Sequence, residues 1–467
     1  MRNITLLLFN LTIITTIFLS GCERKEEEDS YKKISFEKDK LRLNTSDKEG
    51  VSDWETFGLP KEPNLSDYLH FSEQNSPGLR AMFYSWKAAL ERVPQARSLP
   101  DPKFGYAYDD MDDKSTFSLS QMLPWPSKLI DGADRSLQET RVEEHRYEAK
   151  RLELFYNVRK AYYEYYYLNR SNEILKENLA LLENLEGVVL GRYKVGTAKS
   201  PSLLQIQVEL GVLEDRLKSA EALRPTLAAE LNAAMGRDPS LPLPWPQGPL
   251  DEPTALEMGA LQEALRQDNP QLKAAQERIR ASEAGFRLAR AQYFPDFGIG
   301  ASLVKKDRAS GMAMGDRDTD SFMLMFELSI PVWHNKYAAA TREAEAMNAA
   351  AAGMLEEEGQ RLSSDLRVAL YYYEDAGRKL SLFRDALLSK AAQAIEVAQT
   401  AYMADEATYG DLIDAERNLL EIRLSAERAL VDRNIRLAEM ERLCGRELRE
   451  ARPLAVPPEK SQGEPLP

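Results

Sequence analysis

Apolar residues recur every seven positions along an uninterrupted stretch in the first half of the chain. No proline occurs in residues 128–193. A single helix over this span would be roughly 100 Å long at 1.5 Å per residue, and it would need support along its length. A two-stranded coiled coil needs one apolar seam, whereas two seams let a helix pack on both sides, as in a ring of helices. The sequence carries two: Ile174, Leu181 and Val188, beside Leu175, Leu182 and Val189.

The same succession of elements occurs twice along the chain. Residues 157–238 align without a gap with 366–447, and each copy predicts a helix, a strand, a polar loop, a strand and two long helices. The prolines after Asp238 cannot continue a helix and mark a joint. We therefore expect a first repeat at 65–238, a Pro-rich joint at 239–252, a second repeat at 253–447 and a Pro-rich tail at 448–467.

Four short segments alternate apolar and polar residues, which is typical of strands with two unlike faces. The clearest is 321–330, which places phenylalanine and leucine on one face and Met323, Met325 and Glu327 on the other. A transmembrane barrel wall shows this alternation with the apolar face outward, and a water-soluble sandwich shows it with the apolar face inward. Polar loops at 109–113 and 305–320, with Trp125 and Trp333 just past strand ends, favour the membrane.

The barrel interpretation has two consequences. Met323, Met325 and Glu327 would face the barrel lumen. Four strands cannot close a barrel, and lipid does not tolerate an open sheet edge. Other copies of the chain would therefore have to complete it, so the sequence predicts a homo-oligomer.

The N-terminus carries an export signal. One positive charge, Arg2, precedes an apolar run that is too short to span a membrane comfortably, and the run ends in Leu-Ser-Gly-Cys at Cys22. This ending resembles the lipobox of bacterial lipoproteins. We expect residues 1–21 to be a cleaved signal peptide, Cys22 to carry a covalent lipid, and 22–64 to form a lipidated segment. The charged residues 23–48 are expected to be mobile or to drape over the surface.

Composition excludes several classes of function. The 467 residues carry a net charge of -14, which argues against a nucleic-acid partner, and the mean hydropathy is -0.47. The mature chain would keep one thiol, Cys444, so no metal site and no cofactor is predicted. No nucleophile–base pair or phosphate-binding loop is apparent. We therefore expect a protein that is not an enzyme.

Residues 65–447 resemble the TolC family of outer-membrane efflux proteins. The resemblance is carried by residues 293–301, 328–332 and 402–415, in that order within the duplicated frame. It implies a mainly α-helical homotrimer with a periplasmic α-barrel and a membrane β-barrel of twelve strands, four from each chain. It also implies a lipid-anchored place in the bacterial outer membrane, and partners that are a periplasmic adaptor and an inner-membrane pump.

Residues 117–128 narrow the resemblance. They are similar to a stretch common in ducts paired with heavy-metal pumps of the RND class (the CusC and CzcC type), although Ser127 replaces the usual glycine. The resemblance thus implies passive efflux of substrate, with heavy-metal cations as one class of cargo. A type I secretion or drug-efflux duct, and a periplasmic coiled-coil scaffold lipoprotein that forms no channel, remain the alternatives.

The resemblance also assigns functional residues. Asp411 and Asp414 match a pair of carboxylates that form acidic rings at the pore entrance, whereas the first copy has Ser202 and Gln205 there. Alternatively, both aspartates are solvated residues at a helix start, where the helix dipole favours negative charge. The tips of the long helical hairpins would contact the adaptor through four residues: Gly196, Thr197, Asp405 and Glu406.

Overall fold

The structure of the protein is a computed structural model. It describes residues 23–40, 60, 63–111, 114–195, 200–246, 250, 256–306, 321–404 and 406–448. Cys22, the signal peptide, Gly196, Thr197 and Asp405 lie outside the described residues, as does the tail beyond Leu448.

The described helices and strands follow the order that the duplication predicts. The uninterrupted helix expected at 128–193 is confirmed, and it runs from Pro126 to Lys194. In chain order the elements are α1 (Glu23–Lys40), α2 (Leu65–Asn75), α3 (Pro77–Leu90), α4 (Arg92–Arg97), β1 (Lys103–Asp109), β2 (Lys114–Leu123), α5 (Pro126–Lys194), α6 (Ser200–Ala234), α7 (Met258–Asp268), α8 (Pro270–Ala291), β3 (Asp296–Lys306), β4 (Ser321–Ser329), α9 (His334–Ser381), a π-helical turn (Leu382–Leu387), α10 (Leu388–Met403) and α11 (Tyr409–Cys444).

The described chain divides into two units. The sheet unit comprises 23–40, 80–148 and 270–360, and it holds all four strands. The helical unit comprises the described parts of 63–79, 149–269 and 361–448. The long helix α5 contributes to both. No helix among the described residues combines the length and the apolar character needed to cross a membrane.

The four strands form one antiparallel sheet in the order β1-β2-β3-β4. Each repeat supplies one hairpin, and β2 of the first repeat pairs with β3 of the second, from Lys114 opposite Lys306 to Leu123 opposite Phe297. The two hairpins therefore form a continuous sheet whose edge strands are β1 and β4.

Residues 23–40 form a helix, so the expectation of a mobile segment was wrong for this part, whereas the alternative of a segment that lies over its neighbours is not contradicted. The helix packs within the sheet unit: Ile34 and Glu37 are buried, and the Tyr147 hydroxyl donates to the Glu37 carboxylate at 3.1 Å. Glu26 pairs with Arg141 at 2.7 Å, and Lys33 pairs with Glu144. These partners on α5 stabilise a helix that its own sequence, which lacks an apolar stripe, does not predict.

The duplication is visible in the backbone of the helical unit. Gly236 and Gly445, which are equivalent in the two repeats, both follow a long helix with positive φ, at 75° and 78°. A Cβ at Gly236 would lie 3.0 Å from the carbonyl oxygen of Asn75, and one at Gly445 would lie 2.5 Å from that of Asp268. Glycine is required here because other residues strain at positive φ and would clash with the neighbouring helix end.

The core of the helical unit uses the predicted seams. Leu175, Leu182 and Val189 are buried against apolar residues of α6 and α11. In the seam that contains Ile174, Ile174 itself is buried, whereas Val188 is exposed. The Pro-rich joint packs against the tyrosine-rich part of α5: Trp245 stacks on Tyr165 at 5.0 Å between ring centroids. Cys444 is buried at the end of α11, as a small apolar residue would be.

Candidate functional site

The turn before α11 is the better described of the two helical tips. Helix α10 ends at Met403, and the backbone N–H of Glu406 donates to the carbonyl of Ala401 at 2.8 Å. Thr408 then starts α11 as its N-cap residue. The chain thus reverses over a few residues, and Glu406 is exposed on this turn. Of the four tip residues predicted from the sequence, Glu406 alone lies among the described residues.

Asp411 closes a capping box at the start of α11. Its backbone N–H donates to the Thr408 hydroxyl oxygen at 3.3 Å, and its carboxylate accepts from the Thr408 backbone N–H at 2.9 Å and from the Thr408 hydroxyl at 2.7 Å. These hydrogen bonds, chiefly that from the hydroxyl, hold the pKa of the Asp411 carboxyl below its usual range. Asp411 is therefore ionised at neutral pH and also stabilises the helix start.

Asp414 lies three residues further along α11, so that it shares a helix face with Asp411. Its side chain is 71% exposed and accepts a hydrogen bond from Arg417 at 3.4 Å. Arg417 also forms a two-point contact with Glu209 of α6. The structure thus gives both aspartates local partners, as the helix-start alternative requires, and leaves both on the surface of the chain. Their role as an acidic ring stays a prediction.

Arg192 connects the two helical tips within the helical unit. Its guanidinium donates to the backbone carbonyl of Tyr402 at 2.5 Å and lies 4.9 Å from the centroid of that tyrosine ring. Tyr402 in turn packs edge-on against Tyr409 at 5.8 Å. Sequence reasoning missed this contact because the second repeat has an alanine, Ala401, at the position equivalent to Arg192.

The sheet has the two unlike faces that the alternation predicts. Directly paired residues of antiparallel strands lie on the same face, and Ile299 pairs with Phe326 and Phe104 with Leu119. The resulting apolar face is exposed in the chain, with Leu324 at 75%. Its large exposed members are Phe104, Tyr106, Tyr108, Phe117, Leu119, Ile299, Phe322, Leu324, Phe326 and Leu328. The sandwich alternative, in which this face would be covered within the chain, is excluded for the described residues.

The opposite face carries Met323, Met325 and Glu327. These β4 residues pair with Ser302, Gly300 and Gly298 of β3, respectively. A Cβ at Gly298 would lie 3.0 Å from the Cβ of Glu327, and one at Gly300 would lie 3.4 Å from the Cε of Met325. The glycines of β3 thus leave space for the larger side chains of β4. Among the described residues, no cluster of histidine, cysteine, aspartate and glutamate could hold a metal ion.

Aromatic residues follow the strand ends in two different environments. Trp125 stacks on Phe294 at 5.1 Å with the planes 11° apart. The Asp296 carboxylate accepts from the backbone N–H of Trp125 at 2.9 Å and from the Lys128 ammonium at 2.7 Å. Trp333 is 74% exposed. An exposed tryptophan at the edge of an apolar sheet face is typical of residues at a membrane–water boundary.

The chain resembles known proteins both in sequence and in fold. Residues 261–446 match the family model described as outer membrane efflux protein. A membrane protein from Pseudomonas aeruginosa has the same fold, with a TM-score of 0.69 and 20% identity over 86% of this chain and 94% of that one. A search of curated protein sequences gives no match.

Two further solved structures agree with this result. CusC, described in a study of folding and transmembrane channel formation, gives a TM-score of 0.70 with 16% identity over 86% of this chain and 96% of its own. The outer membrane protein VceC from Vibrio cholerae gives 0.68 with 19% identity over 82% and 96%. The resemblance to the outer-membrane efflux proteins is thereby confirmed, by the family model over the second repeat and by the fold over most of the chain.

Proposed function

We propose that this protein is the outer-membrane channel of a tripartite efflux system, through which substrate passes passively from the periplasm to the exterior. The observation that carries the proposal is the exposed apolar face of the four-stranded sheet. An apolar surface of this extent is unfavourable in water, and in a lipid bilayer it is favourable. The family match and the fold of the solved relatives support the same function.

The sheet edges lead to a homotrimer. Strands β1 and β4 each have one neighbour within the chain, and lipid does not tolerate the unpaired backbone groups of an open edge. Three copies would join β4 of one chain to β1 of the next and close a barrel of twelve strands. Met323, Met325 and Glu327 would then line its lumen, because the apolar face would be turned towards lipid.

Planar bilayers test the channel. The detergent-purified mature protein is expected to migrate as a trimer by native mass spectrometry and to give stepwise ionic currents when added to one side of a bilayer. A protein that forms a stable monomer and adds no current would be a periplasmic scaffold instead. The same preparation, denatured before addition, controls for currents caused by detergent.

The acidic ring at the pore entrance is a further proposal. Three copies of Asp411 and Asp414 would place six carboxylates around one constriction, and fixed negative charge favours the passage of cations over anions. Asp411→Asn combined with Asp414→Asn should reduce the selectivity for potassium over chloride, measured as a reversal potential in a salt gradient. The equivalent first-repeat pair, Ser202→Ala with Gln205→Ala, is the control and should leave the reversal potential unchanged. Wild-type selectivity in the double asparagine variant would reduce these aspartates to helix-start residues.

The partners follow from the two tips. We propose that Gly196, Thr197, Asp405 and Glu406 contact a periplasmic adaptor, which couples the channel to an inner-membrane pump of the RND class. Heavy-metal cations are the proposed cargo because residues 117–128 are similar to ducts of that branch. A deletion of this gene should lower the external metal concentration that cells survive, and complementation with a variant carrying Glu406→Ala and Thr197→Ala should restore survival only in part.

A lipid anchor would hold the channel to the outer membrane. We propose it at Cys22 because Leu19-Ser-Gly-Cys fits the lipobox pattern. Mass spectrometry of the mature protein should detect an acylated Cys22 as the first residue. A mature chain that begins with an unmodified residue would contradict the anchor without affecting the channel.

A further inference from the structure

Glu416 is a buried carboxyl group on α11, close in sequence to the acidic residues of the second tip. It is 2% exposed. The side-chain amide of Asn178 on α5 donates to its Oε1 at 2.6 Å, and its Oε2 is buried without a hydrogen-bond partner. An ionised carboxylate with one unpaired oxygen is unfavourable away from water, whereas a protonated carboxyl group loses much less.

The surroundings of Glu416 do not supply the missing partner. A cavity of about 160 Å³ adjoins it, and its charged lining residues are Glu209 and Arg216 from α6 and Arg417 and Glu421 from α11 itself. These pair with one another: Arg417 with Glu209, and Arg216 with Glu421 at 2.9 Å. Arg423 of α11 pairs with Glu177 of α5 at 3.3 Å. In the described chain no cation lies within ion-pair distance of Glu416.

The duplication gives each residue of this pair an equivalent in the other repeat: Leu387 for Asn178, and Gln207 for Glu416. Gln207 is an exposed amide that cannot ionise. The buried pair of carboxyl and amide between α5 and α11 therefore has no equivalent at these two positions. It ties the helix that carries Asp411 and Asp414 to the first repeat.

We propose that Glu416 is a proton-operated latch: the protonated carboxyl group holds α11 against α5 and α6, and loss of the proton loosens this contact beside the pore entrance. Burial raises the pKa of Glu416 to about 7, so the carboxyl group would change its charge near neutral pH. Because the folded pKa lies above the ordinary value, this contribution to stability is complete at acidic pH and is lost as the pH rises through about 7. Acidification should therefore tighten the tip, and a rise to neutral pH should loosen it.

Hydrogen exchange tests the latch without relying on channel activity. In the purified full-length protein, amides of α11 near Glu416 should lose protection as the pH rises from about 4.5 to about 7, by more than the change in intrinsic exchange rate. The closed and opened states bind different numbers of protons only between the ordinary and the raised pKa of Glu416. Glu416→Gln, a neutral isostere, should keep α11 protected and abolish this extra change. The matched control is Glu421→Gln, because Glu421 lines the same cavity but has Arg216 as its partner. It should keep the wild-type pH dependence.

Asn178→Leu provides an independent variant. The Asn178 hydrogen bond lowers the pKa of Glu416 against the effect of burial, so that its loss should move the midpoint of the pH-dependent loss of protection to higher pH.

An unchanged pH dependence in Glu416→Gln would overturn the latch. In bilayers Glu416→Gln should lose the rise in conductance between about pH 4.5 and 7 that the latch predicts. The part of the inference that concerns the pore rests on the proposed function: absent currents would refute the channel, while hydrogen exchange would still decide on the latch.

Discussion

Replacing Leu324 by arginine should strongly reduce the amount of trimer in the outer membrane. Leu324 lies in the middle of β4 on the exposed apolar face of the sheet. In the proposed barrel this face contacts lipid, where an arginine near the bilayer midplane costs about 2–4 kcal/mol. Three copies would carry the substitution, and each would add its own cost. The measurement is the amount of heat-resistant trimer in outer-membrane fractions.

The neighbouring residue provides the control. Met323 precedes Leu324 in the same strand but lies on the opposite face, where it pairs with Ser302. Met323→Arg should leave trimer yield close to wild type, since polar side chains are tolerated in a lumen. Equal losses in both variants would mean that the strand tolerates no arginine at all. Full tolerance of Leu324→Arg would mean that something other than lipid covers the apolar face.

The second large effect is expected from Glu441→Ala in the helical unit. Arg159 of α5 is buried and pairs with Glu441 of α11, which is also buried and accepts from the backbone N–H of Leu448 at 3.2 Å. Removal of the carboxylate leaves the guanidinium buried without this partner, at a cost of about 3–5 kcal/mol. The midpoint temperature of unfolding, followed by circular dichroism in detergent, should fall.

Arg159 also has an exposed partner, so that the loss of a buried and of an exposed carboxylate can be compared at the same guanidinium. Glu447 pairs with it at 2.9 Å, and its side chain is 67% exposed. Glu447→Ala should change the free energy of unfolding by less than about 1 kcal/mol, because exposed ion pairs contribute little. The combined variant Arg159→Met and Glu441→Leu should recover most of the lost stability, since it leaves no buried charge unpaired and Glu447 is exposed to water. Similar effects of Glu441→Ala and Glu447→Ala would show that burial does not control this pair.

The parts of the fold that depend on local pattern were predictable from the sequence. The absence of proline and the heptad seams predict α5, the period of two predicts both sheet faces, and the self-similarity predicts two equivalent hairpins. Thr408 and Asp411 have the spacing of a capping box, so the start of α11 could also have been predicted. Apart from the self-similarity, which compares distant segments, the information lies within the element or a few residues from it.

The features that could not be predicted depend on residues far apart in the chain. Helix α1 has no apolar stripe and is stabilised by partners such as Arg141 and Tyr147. The π-helical turn Leu382–Leu387 has no counterpart in α5, which is continuous through the equivalent residues. The pair of Asn178 and Glu416 joins two helices from different repeats. One sequence carries no signal for such contacts, because neither residue is unusual in its own element.

The pairing of β2 with β3 affects the order in which the protein folds. Lys114 of the first hairpin meets Lys306 of the second, and all of α5, α6, α7 and α8 lie between them in the chain. Contacts between residues so distant in sequence form slowly, because a long loop must close before they stabilise anything. The β2 edge of the first hairpin therefore stays unpaired until the second hairpin has been synthesised. An unpaired strand edge can pair with another chain, so the unfinished protein should be prone to aggregate throughout that interval.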